Sequence, residues 1–327
     1  MKLLITGGAG FIGSCFIRHM LNKYPDYKIT NLDALTYAGN LENLNDVKDN
    51  PNHEFVHGNI CDKDLVQQLV KNVDAIVNFA AESHVDRSIA GPEIFIDTNV
   101  KGTLNLLQMA KDFGVDRYLQ VSTDEVYGTL GSQGYFYETT PLAPNSPYSA
   151  SKASADMLAR SYFETYKLPV LITRCSNNYG PYQYPEKLIP FFVLQLLKGK
   201  KVPVYGDGLN IRDWLYVYDH CAAIDIILHK GKIGEIYNIG GHNEKSNLEI
   251  THIILNAMGK DESSIEYVKD RLGHDRRYAI CNDKIQSELG WKPSITFEEG
   301  IKLTIDWYLK NQEWIDSIEI RKIKYFE

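Results

Sequence analysis

Seven residues near the start of the chain, Gly7-Gly8-Ala9-Gly10-Phe11-Ile12-Gly13, restrict the fold more than any other stretch. They satisfy both a G-x-x-G-x-x-G and a G-x-G-x-x-G spacing. The apolar run Lys2 to Thr6 precedes them, and Phe11 to Lys23 follows with helical spacing. A glycine turn between a first strand and a first helix lets the backbone approach a pyrophosphate, whose charge then sits at the helix N-terminus. Asp33 closes the second strand-like run, twenty residues after Gly13, at the distance that suits a ribose hydroxyl. A carboxylate there repels a 2′-phosphate, and no Arg or Lys occurs from Ala34 to Val47, so NAD is favoured over NADP.

The rhythm that follows is strand, helix, strand. Strands are expected at Lys28–Leu32, His53–His57, Ala75–Phe79, Arg117–Ser122 and Val170–Arg174. Helices are expected at Lys63–Lys71, Thr98–Phe113 and Tyr148–Tyr166. Alternation of this kind predicts an α/β fold with a doubly wound parallel sheet, covered on both faces. After Arg174 the pattern breaks into an Asn-, Tyr- and Pro-rich loop, a helix at Leu188–Lys198, and a strand and turn at Val202–Gly208. Asp219–His229 and Glu235–Gly240 read as a return to the sheet. Helices are then expected near Leu248–Met258, Asp283–Leu289 and Phe297–Asn311. The division expected is a nucleotide-binding lobe of residues 1–176 plus about 214–241, and a smaller, discontinuous α+β lobe of about 177–213 plus 242–327.

Two further stretches carry chemistry. Tyr148 and Lys152 lie four apart on one expected helix face, where an ammonium would lower the phenol pKa and make it a base. Ser122-Thr123-Asp124-Glu125-Val126-Tyr127-Gly128 closes the fifth strand, at the end of the sheet where ligands bind. Thr123 can hold a sugar oxygen. The paired carboxyls Asp124 and Glu125 exceed what hydride transfer needs and suit an elimination, one taking a proton and the other, kept protonated, giving one. Asn59 and Ile60 end the third strand, where an adenine edge would sit. Phe79, Ala80 and Ala81 end the fourth, where small residues allow close contact with the cofactor.

Composition excludes several classes. A net charge of −7 without a basic run argues against nucleic acid. Five scattered cysteines with no C-x-x-C suggest neither a disulfide framework nor a metal site, and fit a reducing, cytoplasmic setting. Neither a signal peptide nor a membrane span is expected.

Taken together, Gly7–Gly13, Ser122–Gly128 and Tyr148–Lys152 resemble the extended short-chain dehydrogenase/reductase family, and the Thr123-Asp124-Glu125 triple resembles its dTDP-glucose 4,6-dehydratases. The stretches Ala80–Ser88, Ser176–Gln183, Glu186–Pro190 and Gly273–Tyr278 agree. The resemblance implies oxidation at C4 of a hexose by NAD with Tyr148 as base, loss of water across C5 and C6 with Glu125 as base and Asp124 as acid, and return of hydride to C6. It implies a cofactor site of Gly7, Gly10, Phe11, Ile12, Gly13, Asp33, Ala34, Leu35, Thr36, Asn59, Ile60, Phe79, Ala80, Ala81, Ser83, Thr98, Tyr148, Lys152 and Asn178. It implies a nucleotide-sugar site of Ser83, His84, Thr123, Asn177, Lys187, Leu188, Pro203, Val204, Tyr205, Arg212, Asn247, Asp270, Arg271, His274, Arg277 and Tyr278. Asn59, Leu272 and Tyr184 depart from the family's usual Asp, Pro and Phe. Three alternatives stay open: a 4,6-dehydratase of UDP- or another NDP-glucose, an NDP-sugar 4-epimerase, and a silent NAD(H)-binding regulator. A homodimer through the helices Thr98–Phe113 and Tyr148–Tyr166 is the family's usual assembly.

Overall fold

The computed structural model describes residues 1–270 and 274–326. Among the described residues twelve strands run β1 Lys2–Thr6, β2 Lys28–Asp33, β3 His53–His57, β4 Ala75–Asn78, β5 Arg117–Thr123, β6 Val170–Cys175, β7 Asn177–Tyr179, β8 Val202–Tyr205, β9 Ile211–Tyr216, β10 Ile236–Ile239, β11 Glu244–Ser246 and β12 Ile265–Val268. The helices in the first half are α1 Phe11–Lys23, α2 Lys63–Val70, α3 Val85–Ala90, α4 Glu93–Phe95, α5 Thr103–Phe113 and α6 Pro147–Tyr166. Those in the second half are α7 Leu188–Leu197, α8 Val217–Lys230, α9 Asn247–Ala257, α10 Asp283–Leu289, α11 Phe297–Lys310 and α12 Gln312–Phe326.

Seven strands form one parallel sheet in the order β10-β6-β5-β4-β1-β2-β3. The chain winds outward from β1 through β2 and β3 on one side, and through β4, β5 and β6 on the other. The order therefore switches beside β1, where the first connections leave in opposite directions and open a crevice. Register puts Thr6 level with Leu32 and with Asn78, so Gly7, Asp33 and Phe79 emerge together at one edge.

Side-chain alternation along β1 shows why both faces are covered. Leu3 and Ile5 join the core under α1 and α8, whereas Leu4 joins the core under α5 and α6. All three are fully buried. A second apolar core lies apart from these. Phe192 and Val193 of α7, Ile250 and Ile254 of α9, Phe297 and Ile301 of α11, and Trp314 of α12 pack there over the small sheets β11-β9-β7 and β12-β8. The doubly wound parallel sheet is thus present as the sequence predicts.

Several local expectations change. The helix expected over Thr98–Phe113 begins instead as a wide π-type coil at Ile96–Gly102 and becomes α-helical only from Thr103. The wider coil turns Asn99 inward, where its amide brackets Glu82 and donates to Ser151 Oγ of α6 at 2.8 Å. Strand β9 contains Arg212 and Asp213, both almost fully buried, so its polar sequence conceals a strand. Strands β7, β11 and β12 are each four residues or fewer, too short for alternation to register. Helix α12 extends the second core beyond the last expected helix.

Candidate active site

One cleft of about 670 Å³ runs from the glycine turn to the second core, along the carboxyl ends of the sheet strands. At its head, α1 begins at Phe11 with no side chain capping its first turn, which leaves backbone N–H groups to meet an anion. The first position of the turn tolerates only glycine. Gly7 has φ 72°, and a Cβ there would sit 2.7 Å from Ala80 N. Gly10, Ile12 and Gly13 line the same wall.

The Asp33 carboxylate accepts the N–H groups of Ala9 (2.9 Å) and Leu35 (2.8 Å), which ties the strand end to the glycine turn. Ala34 and Thr36 line the cleft beside it. Leu35 does not. Its left-handed backbone (φ 49°) turns the side chain onto the core under α1. Asn59, Ile60, Phe79, Ala80, Ala81, Ser83 and Thr98 all line the cofactor side. Asn59 Oδ1 accepts the Cys61 N–H at 2.9 Å, so its carbonyl is partly engaged by its own turn. Asn178 lines the cleft, but its amide is held internally: Oδ1 meets His220 Nδ1 at 2.9 Å and Nδ2 donates to the Ser176 carbonyl at 3.0 Å. These residues fit a dinucleotide: a backbone cradle that a Cβ would fill, an uncapped helix start, and a carboxylate at the second strand end.

Thr123 and Asp124 follow at the end of β5, and Tyr148 and Lys152 face them from α6. Ser146 and Ser149 form a capping box, and Pro147 occupies the first turn, so α6 starts where the sequence predicts. Tyr148, Lys152 and Asp156 repeat at i, i+4 and i+8 on its buried face. Asp156 then pairs with Arg174 of β6 at 2.9 Å, both side chains almost wholly buried.

Electrostatics bear out one expectation and reverse another. Burial, reinforced by the Glu125 and Asp213 carboxylates, pushes Asp124 well above the usual carboxylate range, as an acid kept protonated requires. Its Oδ2 is buried and makes no hydrogen bond among the described residues. The phenol of Tyr148, by contrast, is not drawn toward neutrality. Burial first, then the carboxylates of Glu125 and Asp124, raise it, and the Thr123 hydroxyl acts in the other direction without reversing them. The Lys152 ammonium is itself disfavoured by burial and donates to the Val121 carbonyl at 2.7 Å. In the protein alone, desolvation therefore outweighs the Tyr–Lys effect.

On the sugar side, His84, Asn177, Lys187, Leu188, Pro203, Val204, Tyr205, Arg212, Asn247, His274 and Tyr278 line the cleft. Arg212 donates to the carbonyls of Ile211 (2.8 Å) and Asp275 (2.9 Å) and lies over the Tyr278 ring. His274 Nδ1 meets Asp270 Oδ1 at 2.6 Å, so Asp270 supports the site from outside the lining. Arg277 is not brought into the cleft. Its guanidinium forks onto Glu244 (2.6 and 2.8 Å) and donates to the Gly131 and Gly134 carbonyls, which spends it as a structural clamp. Arg271, and with it Leu272 and Gly273, lies outside the described residues.

Sequence reading missed a cross-cleft contact. Tyr37, after β2, donates to Glu186 Oε1 at 2.8 Å and stacks under the Arg87 guanidinium at 3.6 Å. Arg87 in turn holds Glu82 at 2.7 Å, and Lys187 reaches the Ser83 carbonyl at 3.2 Å. The Asn40 and Asp33 turn signals around Tyr37 mark a loop, and nothing in its spacing marks the reach to residue 186.

Residues 4–304 match the family model described as GDP-mannose 4,6 dehydratase. A dTDP-glucose 4,6-dehydratase from Xanthomonas campestris is 54% identical, over 96% of this chain and 95% of that protein. A dTDP-glucose 4,6-dehydratase from Bacillus anthracis, solved in complex with NAD, superposes with a TM-score of 0.91 at 57% identity, covering 97% of this chain and 99% of that one. One from Streptomyces venezuelae, also solved with NAD, gives a TM-score of 0.95 at 53% identity, covering 97% and 100%. With that agreement in sequence and fold, the chain belongs to the sugar-nucleotide 4,6-dehydratase family of the extended short-chain dehydrogenases/reductases.

Proposed function

We propose that the protein is an NAD-dependent hydro-lyase that converts dTDP-glucose to dTDP-4-keto-6-deoxyglucose. The observation that carries the reading is the meeting, in one cleft, of a dinucleotide cradle with Thr123, Asp124, Glu125, Tyr148 and Lys152. A 4-epimerase has no use for the buried, proton-holding Asp124. A silent regulator has no reason to keep all five side chains.

When bound, NAD supplies a two-electron acceptor that is restored within each turnover. Gly7, Gly10 and the first turn of α1 would hold its pyrophosphate, and Asp33 a ribose. Tyr148 takes the proton of the 4-hydroxyl, with Thr123 orienting that oxygen. Glu125 takes the C5 proton, made acidic by the new C4 carbonyl. Asp124 gives its proton to the departing 6-hydroxyl, which leaves as water. Glu125 returns its proton to C5 as C6 is reduced. Lys187 and Arg212 bind the nucleotide sugar, with His274 held by Asp270.

The two apolar cores divide this work between a cofactor lobe and a sugar lobe. Ile96, Leu104 and Met157 are exposed beside α5 and α6, and a second copy covering them makes the homodimer. No helix among the described residues is long and apolar enough to cross a membrane. The cytoplasm suits this substrate and the unpaired cysteines.

The deciding experiment incubates purified protein with dTDP-glucose and, separately, UDP-glucose, and reads the alkali-dependent absorbance of a 4-keto sugar. A keto product from dTDP-glucose at the higher kcat/KM supports the reading. A galactose isomer in its place favours epimerisation, and preference for UDP-glucose moves the assignment to that nucleotide.

A further inference from the structure

The glycine turn is made of residues that hold their own shape poorly. Glycine loses more conformational freedom on ordering than any other residue, and Ala9 alone breaks the run from Gly7 to Gly10. The peptides on both sides of Ala9 are nevertheless pinned. Its N–H goes to the Asp33 carboxylate at 2.9 Å. Its carbonyl accepts two donors, the Asn40 N–H and Asn43 Nδ2, each at 2.9 Å. Both lone pairs of that oxygen are thus engaged.

Asn43 is buried and joins three elements. Its Oδ1 accepts the indole N–H of Trp314, on α12, at 2.7 Å. Its backbone carbonyl accepts from the Arg18 guanidinium, on α1. An indole nitrogen only donates and a peptide carbonyl only accepts, so the Asn43 amide has one orientation here. Neighbouring contacts repeat the link. Asn40 Nδ2 donates to Ser317 Oγ of α12 at 3.5 Å. The Arg18 guanidinium lies 4.3 Å over the Tyr182 ring, which meets Trp314 edge-on. Trp314 itself belongs to the second apolar core, with Phe192, Ile254 and Ile301. Ala9, Asn43 and Trp314 all stand behind the cleft wall and are not part of its lining.

Resting on the dinucleotide reading of the cleft, we infer that Asn43 and Trp314 are positioning residues for NAD. Through them α12 holds the Ala9 peptide, and with it the start of α1, in the shape that meets a pyrophosphate. The tie joins the core on the sugar side to the cradle on the cofactor side. It touches no reacting group, so it acts on retention of a cofactor that is restored within each turnover and has no need to leave. Coupling of this kind is reciprocal: what α12 gives to NAD binding, bound NAD returns to α12.

Two measurements test the tie. In the first, holoenzyme loaded with radiolabelled NAD is chased with unlabelled NAD. Trp314→Phe keeps an aromatic ring in the core and deletes the indole donor, so release is expected at least ~5-fold faster than from wild type, the worth of one buried hydrogen bond. Ile318→Ala thins the same core from the same helix but leaves the tie intact, and is expected to release NAD at the wild-type rate. Unchanged release from Trp314→Phe, or equal acceleration by both variants, overturns the inference. The second measurement needs no variant, and stands if Trp314→Phe does not fold. Amide hydrogen exchange of wild-type protein is compared with and without NAD. The amides of α12 are expected to slow more than those of α10, which also lies outside the cleft lining. Equal slowing in the two helices is general stabilisation by ligand and refutes a specific tie. Wild-type protein that binds no NAD overturns the dinucleotide reading and the positioning role with it.

Discussion

Removing the charge of Asp156 tests how the proposed base is held. Asp156 sits two turns along α6 from Tyr148, and its carboxylate meets Arg174 Nε at 2.9 Å. The two side chains are 0% and 1% exposed. Arg174 also donates to the Tyr127 hydroxyl at 3.0 Å, and its burial keeps its charge from solvent if the carboxylate goes. Replacing both partners by apolar groups can be neutral, but removing one strands a buried charge and costs about 3–5 kcal/mol. A chain of 327 residues has an unfolding entropy of about 0.7 kcal/mol/K at 2.1 cal/mol/K per residue. Asp156→Ala is therefore expected to lower Tm by roughly 4–7 °C. The assay is differential scanning calorimetry of the NAD-free protein at pH 7, with Asp156→Ala/Arg174→Met alongside. The double variant should recover much of the loss, because no charge is left unpaired. A Tm within about 1 °C of wild type for Asp156→Ala, against the expected shift, refutes the argument.

Four further outcomes follow from the structure. Tyr37→Phe keeps the ring under Arg87 but deletes the 2.8 Å bond to Glu186; at about 1–2 kcal/mol for a partly screened bond, KM for dTDP-glucose should rise roughly 5- to 30-fold with kcat little changed, as steady-state kinetics will show. Glu125→Gln should still oxidise C4 but fail to lose water, so absorbance of reduced cofactor at the protein should accumulate; unchanged turnover contradicts it. Arg277→Ala should lower thermal stability through loss of the Glu244 fork while leaving KM within about twofold, since surface-remote structural pairs act on folding and not on binding; a large KM rise would return Arg277 to the sugar site. Asp225 is held far below the usual carboxylate range despite its burial, by His19, His229 and Lys23, and His229 is correspondingly raised. A raised histidine stabilises below its unfolded pKa and loses that contribution as pH rises through the folded value, so the stability gap between wild type and Asp225→Asn, from urea melts, should shrink above about pH 6.5.

The sequence made the first half of the fold legible because its signals are local. Gly7, Gly10 and Gly13 fall between a strand and a helix, and β1, α1 and β3 begin and end where pattern predicts. The second half was harder because its small sheets have strands that are short or carry buried charge. Arg212 and Asp213 are polar in sequence and core in structure. Burial of Asp124 was legible as a need for a protonated acid, but the raised Tyr148 was not: helical spacing gives the neighbour at i+4 and says nothing of desolvation. Arg277 shows the reverse error. A guanidinium beside a nucleotide-sugar loop looked like a phosphate ligand, and only coordinates reveal the Glu244 that claims it.

The last strand of the main sheet, β10, hydrogen-bonds to β6, yet sixty residues separate Cys175 from Ile236. Within that interval the chain builds β7, α7, β8, β9 and α8 before returning to finish the edge. The sheet therefore cannot be completed as the ribosome delivers it; the incomplete rim waits, with β6 uncovered, for a segment that emerges much later. Cutting the gene after α6 and β6 would not yield a self-sufficient nucleotide-binding half, but a piece with an open, sticky margin.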